Sequence, residues 1–549
     1  ADGSLRHRGV LAQGESHEGI ACLRRIIQLA PDAAETRANL AYVLATTGDL
    51  HGALENYRHA VRLRADDPNV WTNFAALLKT LARYDEAETC CRAGLQANAG
   101  HAALHRTLAG VLFEQGRVDA AIAEIRAALA LNPDAPAAHS ELLRMLNYTD
   151  AQDPAAVFRE HRAWAERHAL PLESKALPHT NDPVPTRRLR IGYISPYFRQ
   201  HPVTFFLEPV IEHHDRDNFA LFLYADVARP DECSERLKSH GAIWRSTVGL
   251  SDAELAQLVR HDAIDILLDL SGHTPGNRLL AFARKPAPVQ VTWNGYPNTT
   301  GMSAIDYRIT DAWCDPPGAT EHLHSERLVR LPASYMAWRP PEDTPDAGPL
   351  PATATGHVTF GSFNSCYKLT PQLIALWSRI LERVPGSRLM LLTIGAGAAE
   401  RRIRSLFANN GIDAARLEFL PRVAHQEFLA AHGRADIALD AFPYHGTTTT
   451  CFSLWMGLPV VTLAGTVHAS RVGVSMLNSV GLPRLIARDA DEYVEIAARL
   501  AENTAELAAL RPDLRGMLLR SPLADGRACA RALEAAFREM WAVWCRGQT

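Results

Sequence analysis

The chain lacks most of the features that mark a special environment. Its 549 residues contain no Cys-x-x-Cys pair, and the nine cysteines, an odd number, are dispersed apart from adjacent Cys90 and Cys91. That usage argues against a disulfide framework and against a zinc site, and points to a reducing, cytoplasmic setting. No apolar run reaches the length of a membrane span, so no membrane partner is expected. Ala1-Asp2-Gly3-Ser4 opens without a signal-peptide core, and a chain starting on Ala1 is expected to be processed or trimmed. Neither charge dominates: 57 Lys and Arg stand against 61 Asp and Glu, a net charge of −4. With no long basic run there is no electrostatic footprint for nucleic acid. A composition of 47% hydrophobic and 21% charged residues is that of a globular protein, and its length calls for two or three domains.

What is present begins with a repeat. Leu40-Ala41, Phe74-Ala75 and Leu108-Ala109 are spaced by 34 residues, as are Ala53, Ala87 and Ala121. Large residues recur at Leu44, Leu78 and Leu112, and again at Tyr57, Cys91 and Ile125. Gly48, Ala82 and Gly116 mark short turns, each followed by a charged residue. This pattern resembles the tetratricopeptide repeat, a helical hairpin that stacks into a right-handed superhelix. Residues 5–31 supply a degenerate first unit, and Leu142-Leu143 with Leu146 reads as a fourth start. Asn39 and Asn73 share one repeat position on the helix lining the concave face, where a pair could contact an extended peptide backbone. Buried capping is the alternative for either, and Thr107 and Glu141 replace them in the next repeats. The repeats are assigned to residues 1–150.

Residues 151–187 read as a linker, on the strength of Pro171, Pro178, Pro183 and Pro185. Short apolar runs then alternate with helical segments. Strands are expected at Leu189–Ser195, Ala220–Tyr224, Ile264–Leu270, Val289–Trp293 and Tyr307–Thr310. After the Pro/Gly-rich stretch Pro340–Thr355 a second set follows: Val358–Phe363, Leu389–Thr393, Leu417–Leu420, Ile437–Asp440 and Val460–Leu463. Such alternation implies two parallel sheets covered by helices, at 188–345 and 346–549, with a ligand cleft between their C-terminal edges. The amphipathic segment Asp525–Trp544 is expected to form a helix packing back across the lobes.

The richest segment is Asp440–Thr450, where Gly446 and four threonines, Thr447–Thr450, stand between a strand and a helix. Free N–H groups and the helix dipole make such a terminus a natural phosphate site; an ordinary capping threonine is the alternative. Lys368 ends the loop after Val358–Phe363 on the same predicted sheet edge, so it and Thr447–Thr449 can reach one anion. Together they could offset a diphosphate leaving group without a metal. The two Asp-x-Asp triplets, Asp215–Asp217 and Asp489–Asp491, read as turn and cap residues, so no metal is expected. His201, stiffened by Pro202 after the first strand, is a candidate acid/base or substrate-orienting group, with a structural loop histidine as the alternative. His273 falls at the expected cleft edge. His261 precedes a strand and on topology belongs at the opposite edge. Cys366 and Cys451 lie beside these motifs, but a lone cysteine is usually a small buried hydrophobe.

Taken together, the motifs resemble the O-linked N-acetylglucosamine transferase family in its bacterial form. They are the repeats, Gly192–Ser195 with His201-Pro202, Ser271–Thr274, Arg284–Pro297 with its Gly295-Tyr296-Pro297, Phe363–Lys368, Gly446–Thr450 with Leu454–Gly457, and Ala469–Val472. The resemblance implies a tetratricopeptide superhelix followed by two Rossmann-like lobes of GT-B type. It implies inverting, metal-independent transfer from UDP-N-acetylglucosamine to Ser or Thr hydroxyls of intracellular proteins recruited by the repeats. On this resemblance Lys368 and Thr447, Thr448 and Thr449 contact phosphate, His201 lies by the acceptor, and a second acceptor-side histidine aligns with His261. The loop Arg422–His425, through Ala424 and His425, would hold uracil. Ser365 stands where the family has Gln, Phe428 where it has a histidine near uracil, and Phe452 where an acidic residue meets the ribose. The Pro340–Thr355 stretch replaces a large insert of the animal enzymes. Transfer of another sugar (glucose to Asn, fucose to Ser/Thr), a lipid- or small-molecule-directed transferase, and an inactive repeat scaffold remain as alternatives.

Overall fold

The computed structural model describes residues 13–150, 153–392 and 397–547. The chain divides into two compact units, Ala1–Ala138 and His139–Thr549. The first is built of helical hairpins: Ala34–Thr47 with Leu50–Leu63, Pro68–Thr80 with Tyr84–Ala97, and Ala102–Glu114 with Val118–Leu131. The repeat positions explain the pairing. Ala41, Ala75 and Ala109, and likewise Ala53, Ala87 and Ala121, are fully buried, since only a methyl fits where the helices touch most closely. At the turns Gly48, Ala82 and Gly116 all adopt positive φ, so Ala82 holds a left-handed conformation that its two counterparts meet with glycine. A helix also forms at Gln13–Leu29; the part of the degenerate first unit before it lies outside the described residues.

The second unit holds two parallel sheets. The first has β1 (Leu189–Ser195), β2 (Phe219–Ala225), β3 (Ile243–Ser246), β4 (Ile266–Asp269), β5 (Val289–Thr292), β6 (Tyr307–Asp311) and β7 (Arg327–Leu331), in the order β3-β2-β1-β4-β5-β6-β7. The second has β8 (Thr359–Ser362), β9 (Arg388–Leu392), β10 (Leu417–Leu420), β11 (Ile437–Leu439), β12 (Val460–Leu463) and β13 (Ile486–Ala487), in the order β10-β9-β8-β11-β12-β13. Strand order reverses between β1 and β4 in one sheet and between β8 and β11 in the other, which opens a crevice at each C-terminal edge. All ten expected strands are present, Thr393 alone falling outside the described residues. The three additional strands, β3, β7 and β13, lie at sheet edges, where shorter or more polar sequences such as Ile243-Trp244-Arg245-Ser246 give no apolar run.

One boundary needs correction. The segment expected to be linker from residue 151 contains the helix Pro154–Trp164, continued by a wider turn and a short helix to Glu173. Asp153 accepts from Ala155 N–H as N-cap and Pro154 takes the first helical position, a start signal masked by the later prolines. Trp164, Ala165 and Ala169 bury against Ile194, Leu267 and Phe282, so this helix is part of the first lobe. Leu143, read as part of a fourth repeat, lies in that same core. The C-terminal helix, Gly526–Arg546, returns to the first lobe and packs on helix Pro202–His213. There Glu534 accepts from His214 Nδ1 at 2.8 Å and from Asp215 N–H at 2.7 Å, and Trp541 Nε1 donates to Val184 O at 3.1 Å.

Candidate active site at the second sheet's switch point

The loops after β8 and β11, adjacent parallel strands, meet at the reversal of strand order. The first carries Asn364 and Lys368, the second Asp440–Thr447 and the helix Thr448–Trp455. Lys368 Nζ donates to His445 O at 2.6 Å and to Asn364 Oδ1 at 3.3 Å, and lies 4.5 Å from the centre of the Tyr444 ring. Thr449 Oγ1 donates to the same Asn364 oxygen at 3.2 Å. Lys368 and the threonine helix end are thus joined through one amide. Thr447, at the N-cap, makes no side-chain cap bond, and Thr447, Thr448 and Thr449 are half-buried. Free N–H groups and the positive end of the helix dipole therefore collect beside an ammonium. Desolvation pushes the Lys368 pKa down to about 8, partly opposed by the Asp440 carboxylate.

Asp440 builds this loop. Its carboxylate accepts from Ala441 N–H (2.9 Å), Gly446 N–H (2.7 Å) and the Thr462 hydroxyl (2.8 Å). His445 is fully buried: its Nε2–H donates to Leu463 O at 2.9 Å, so Nδ1 accepts the Gly473 N–H at 3.0 Å. Burial lowers its pKa and keeps the ring neutral. Gly446 has to be glycine, because a Cβ there would lie 2.3 Å from Thr449 Oγ1. Asn364, Asp440 and His445 are site residues that the sequence reading does not single out. An aspartate closing a strand, six residues before a glycine, is the signal that could find the second of them.

His201 caps the helix Pro202–His213 after β1, its Nδ1 accepting the Val203 N–H at 3.2 Å. Its ring stacks on Tyr197 at 3.9 Å, and burial with nearby Arg199 lowers its pKa to about 4. At neutral pH the ring is uncharged and its one proton is on Nε2.

Two other expected histidines are not brought to the cleft. His273 is fully engaged in the first-lobe core, with Nε2 on Thr300 O at 2.9 Å, Nδ1 on Ser140 Oγ at 3.0 Å, and Trp164 edge-on at 4.8 Å. The motif Ser271–Thr274 packs instead against Asn294–Pro297: a Cβ on Gly295 would fall 1.8 Å from Leu270 O, and Tyr296 lies against Gly272. His261 is exposed at the end of helix Asp252–His261, which leads into the N-terminal end of β4, so it sits at the opposite sheet edge.

Ala424 and His425 begin the helix His425–His432. His425 borders a cleft of about 430 Å³ between the lobes, lined also by Phe205, Glu208, Arg236, Arg339 and Phe452. Phe452 is buried, with the rings of Phe205, Trp338, His425 and Phe428 all 5.4–6.3 Å from it. Ser365 is half-buried and its carbonyl accepts the Lys368 N–H at 2.9 Å. In the other unit, Asn39 and Asn73 are exposed on the first helices of consecutive hairpins, whereas the Thr107 hydroxyl is bonded back to Ala103 O at 2.8 Å.

Both Asp-x-Asp triplets have turn and cap partners. Asp215 accepts from Asp217 N–H and Asn218 N–H, Asp489 caps the helix Ala490–Glu502, and Asp491 pairs with Arg379. Among the described residues no group of three or more His, Cys, Asp or Glu is arranged to hold a metal ion. The lobes are pinned to each other beside the site. Ser475 Oγ donates to Asp311 Oδ2 at 2.5 Å, Arg471 Nε to Trp313 O at 2.9 Å, and His468 Nδ1 lies 2.7 Å from Asp315 Oδ2.

Two Rossmann-like lobes with a basic, helix-capped loop at the switch point of the second define a glycosyltransferase fold of GT-B type, here preceded by tetratricopeptide repeats. Repeat profiles match residues 8–68 and 81–146. The chain belongs to glycosyl transferase family 41, whose profile matches residues 136–338 and 349–533. It is 43% identical over 415 residues to the rice protein named probable UDP-N-acetylglucosamine–peptide N-acetylglucosaminyltransferase SPINDLY, covering 74% of this chain and 44% of that one. It is 35% identical over 372 residues to the Arabidopsis thaliana protein of the same description named SEC, covering 66% and 38%. The chain thus spans less than half the length of these curated relatives. A solved structure of a Thermobaculum terrenum O-GlcNAc transferase mutant superposes with a TM-score of 0.87 at 37% identity, over 98% of this chain and all of that one. Among the described residues no helix is long and apolar enough to cross a membrane.

Proposed function

We propose that this protein transfers N-acetylglucosamine from UDP-N-acetylglucosamine to Ser or Thr hydroxyls of proteins, with inversion at the anomeric carbon and without a metal. The observation that carries the reading is the junction of Lys368, Asn364 and Thr449 at an uncapped helix N-terminus on a sheet switch point. There the diphosphate would accept from the ammonium, the hydroxyls and the first N–H groups of the helix. The acceptor hydroxyl oxygen attacks the anomeric carbon, the bond to the β-phosphate oxygen breaks, and its electron pair stays on UDP, where these donors offset the growing charge; the hydroxyl proton, acidic only once the new bond is forming, passes to water. Proteins of this description are the family relatives named above, which supports the choice of sugar and acceptor.

His201 serves as an orienting donor and not as the base. Its Nδ1 lone pair is occupied by Val203 N–H and its proton is on Nε2, the one ring nitrogen left to meet a substrate oxygen. With a pKa near 4 it stays neutral throughout the working range. Asn39 and Asn73 supply a short amide ladder for an extended acceptor segment.

Phe452 favours a second reading, a repeat scaffold whose catalytic module binds the donor weakly or not at all. A phenyl ring among four aromatic neighbours cannot accept a hydrogen bond from a ribose hydroxyl. Protein incubated with a cell lysate and labelled UDP-N-acetylglucosamine, UDP-glucose or a fucose nucleotide separates the cases. Label on Ser or Thr from the first donor supports the main reading, and label from another donor alone transfers the assignment. Absence of labelling together with absence of UDP binding by calorimetry leaves a repeat scaffold.

A pH dependence follows. The protonated Lys368 binds phosphate, and its pKa of about 8 in the free protein lies below the ordinary lysine value. UDP affinity should hold steady up to about pH 8 and weaken above it, approaching tenfold per pH unit. A lysine of ordinary pKa would hold affinity to about pH 10. Calorimetry between about pH 7 and 9.5 distinguishes the two, and no separate limb from His201 should appear in that range.

A further inference from the structure

The five residues Leu146–Asp150 leave the helix Pro136–Met145 and touch both lobes. Toward the first lobe, buried Asn147 donates from Nδ2 to Tyr296 Oη at 2.9 Å and accepts at Oδ1 from Asn298 Nδ2 at 2.9 Å. Tyr296 and Asn298 follow β5, and Tyr296 Oη is also 2.9 Å from His161 Nε2. This anchor is buried and hydrogen-bonded, which fixes the register of the segment. Toward the second lobe, Asp150 Oδ2 accepts the Gln372 N–H at 3.1 Å in the first turn of helix Pro371–Arg383.

Between these anchors Tyr148, 7% exposed, lies flat on the Tyr444 ring. The centroids are 4.4 Å apart and the planes 5° from parallel. It also meets Tyr367 edge-on at 5.2 Å and 84°. Tyr444 precedes His445, whose carbonyl accepts from Lys368, and its ring lies 4.5 Å from the Lys368 ammonium. Tyr367 is the chain neighbour of Lys368. The groups around Nζ therefore include the Tyr444 ring, His445 O and Asn364, with Asp440 the carboxylate acting on it. Tyr148 holds the Tyr444 ring that flanks the amine and the ring of Tyr367, the chain neighbour of Lys368, although it comes from a segment that precedes both lobes in sequence.

We propose that Leu146–Asp150 is a strap across the lobes, in which Tyr148, through Tyr444 and Tyr367, positions Lys368 against the Thr447–Thr449 helix end. The proposal rests on the reading of Lys368 as a phosphate contact for its functional meaning, but not for its geometry. Tyr148 is a positioning residue and meets no reacting atom. Its ring makes the contacts with both tyrosines, and its hydroxyl adds a hydrogen bond to Tyr444.

The test uses the full chain with Tyr148→Leu, Tyr148→Phe and Asp150→Ala. Acylation of Lys368 is followed against pH by peptide mass spectrometry without nucleotide, and UDP binding by calorimetry. Tyr148→Leu should admit water to the amine and move the midpoint of labelling upward. It should weaken UDP binding by about threefold to tenfold, the range expected for one lost aromatic pair. Tyr148→Phe keeps the ring and loses only the hydroxyl bond to Tyr444, so it should recover most of both, which a role in overall folding alone does not predict for the labelling profile. A Tyr148→Leu protein that is folded by circular dichroism and labels as the parent does overturns the strap. If Tyr148→Leu does not fold, Asp150→Ala, which removes the acceptor for Gln372 N–H, decides: an upward shift of smaller size supports the strap and an unchanged profile overturns it. A shifted profile in a protein whose parent binds no UDP leaves the strap standing and removes the phosphate reading instead.

Discussion

Lys368→Ala is expected to lower kcat for sugar transfer by about a thousandfold while the protein remains folded. The ammonium brings a full positive charge to the hydroxyls and N–H groups gathered at the Thr447–Thr449 helix end, and removing a single preorganised donor at a leaving oxyanion typically costs about two to three orders of magnitude. The loss should appear in kcat as well as in donor affinity, because the ammonium binds the diphosphate and the charge it offsets grows as the sugar bond breaks. Thermal stability should change little. Alanine removes one hydrogen bond to His445 O and a long one to Asn364, and an ammonium whose pKa is lowered by desolvation does not favour the folded state. Initial rates with labelled donor, beside a melting curve, check both halves. An alanine variant that retains parental turnover removes Lys368 from the chemistry.

Asp440→Ala should lose both stability and donor binding. Removing the carboxylate leaves the buried Ala441 and Gly446 N–H groups and the Thr462 hydroxyl without their acceptor. An unsatisfied buried donor costs about 1–3 kcal/mol, so a loss of about 3–5 kcal/mol is expected after partial relaxation. The Gly446 N–H bond also fixes the turn that presents Thr447–Thr449, so UDP affinity should fall even at temperatures where the variant is folded. Asp440→Asn should fall between, since its amide oxygen can still accept both N–H groups while its NH₂ replaces the oxygen that meets Thr462. Denaturant titration and UDP calorimetry on the two variants provide the comparison. Parental values for Asp440→Ala would mean that the loop is held by other interactions.

How far the sequence reveals this molecule depends on which signal each part leaves. The repeats are legible because close helix contact admits only a methyl at Ala41, Ala75 and Ala109, and the same demand recurs in each hairpin. The central strands are legible because burial on both faces demands continuous apolar runs. Edge strands β3 and β13 carry no such demand. The helix Pro154–Trp164 and its continuation to Glu173 are hidden by the prolines that follow, although Asp153-Pro154 marks their start. At the site, Lys368 and Thr447–Thr449 can be paired from topology alone, since both follow strands at one sheet edge. Asn364, which joins them, cannot, because an amide between two loops has no periodic signature. His273 misleads for a related reason: it follows a strand at the correct edge, yet its two nitrogens face Ser140 and Thr300, from segments distant in sequence. Topology puts His261 on the far edge, in conflict with the role that family resemblance implies for it.

The return of helix Gly526–Arg546 to the first lobe bears on how the protein is made. Domains usually fold in order as they leave the ribosome. Here strands β1 to β7 are synthesised well before the segment that covers helix Pro202–His213 and supplies Glu534, Arg538 and Trp541 to the neighbourhood of β1 and β2. The nascent first lobe therefore carries an uncovered apolar flank through translation of the entire second lobe, a period in which molecular chaperones have a surface to hold.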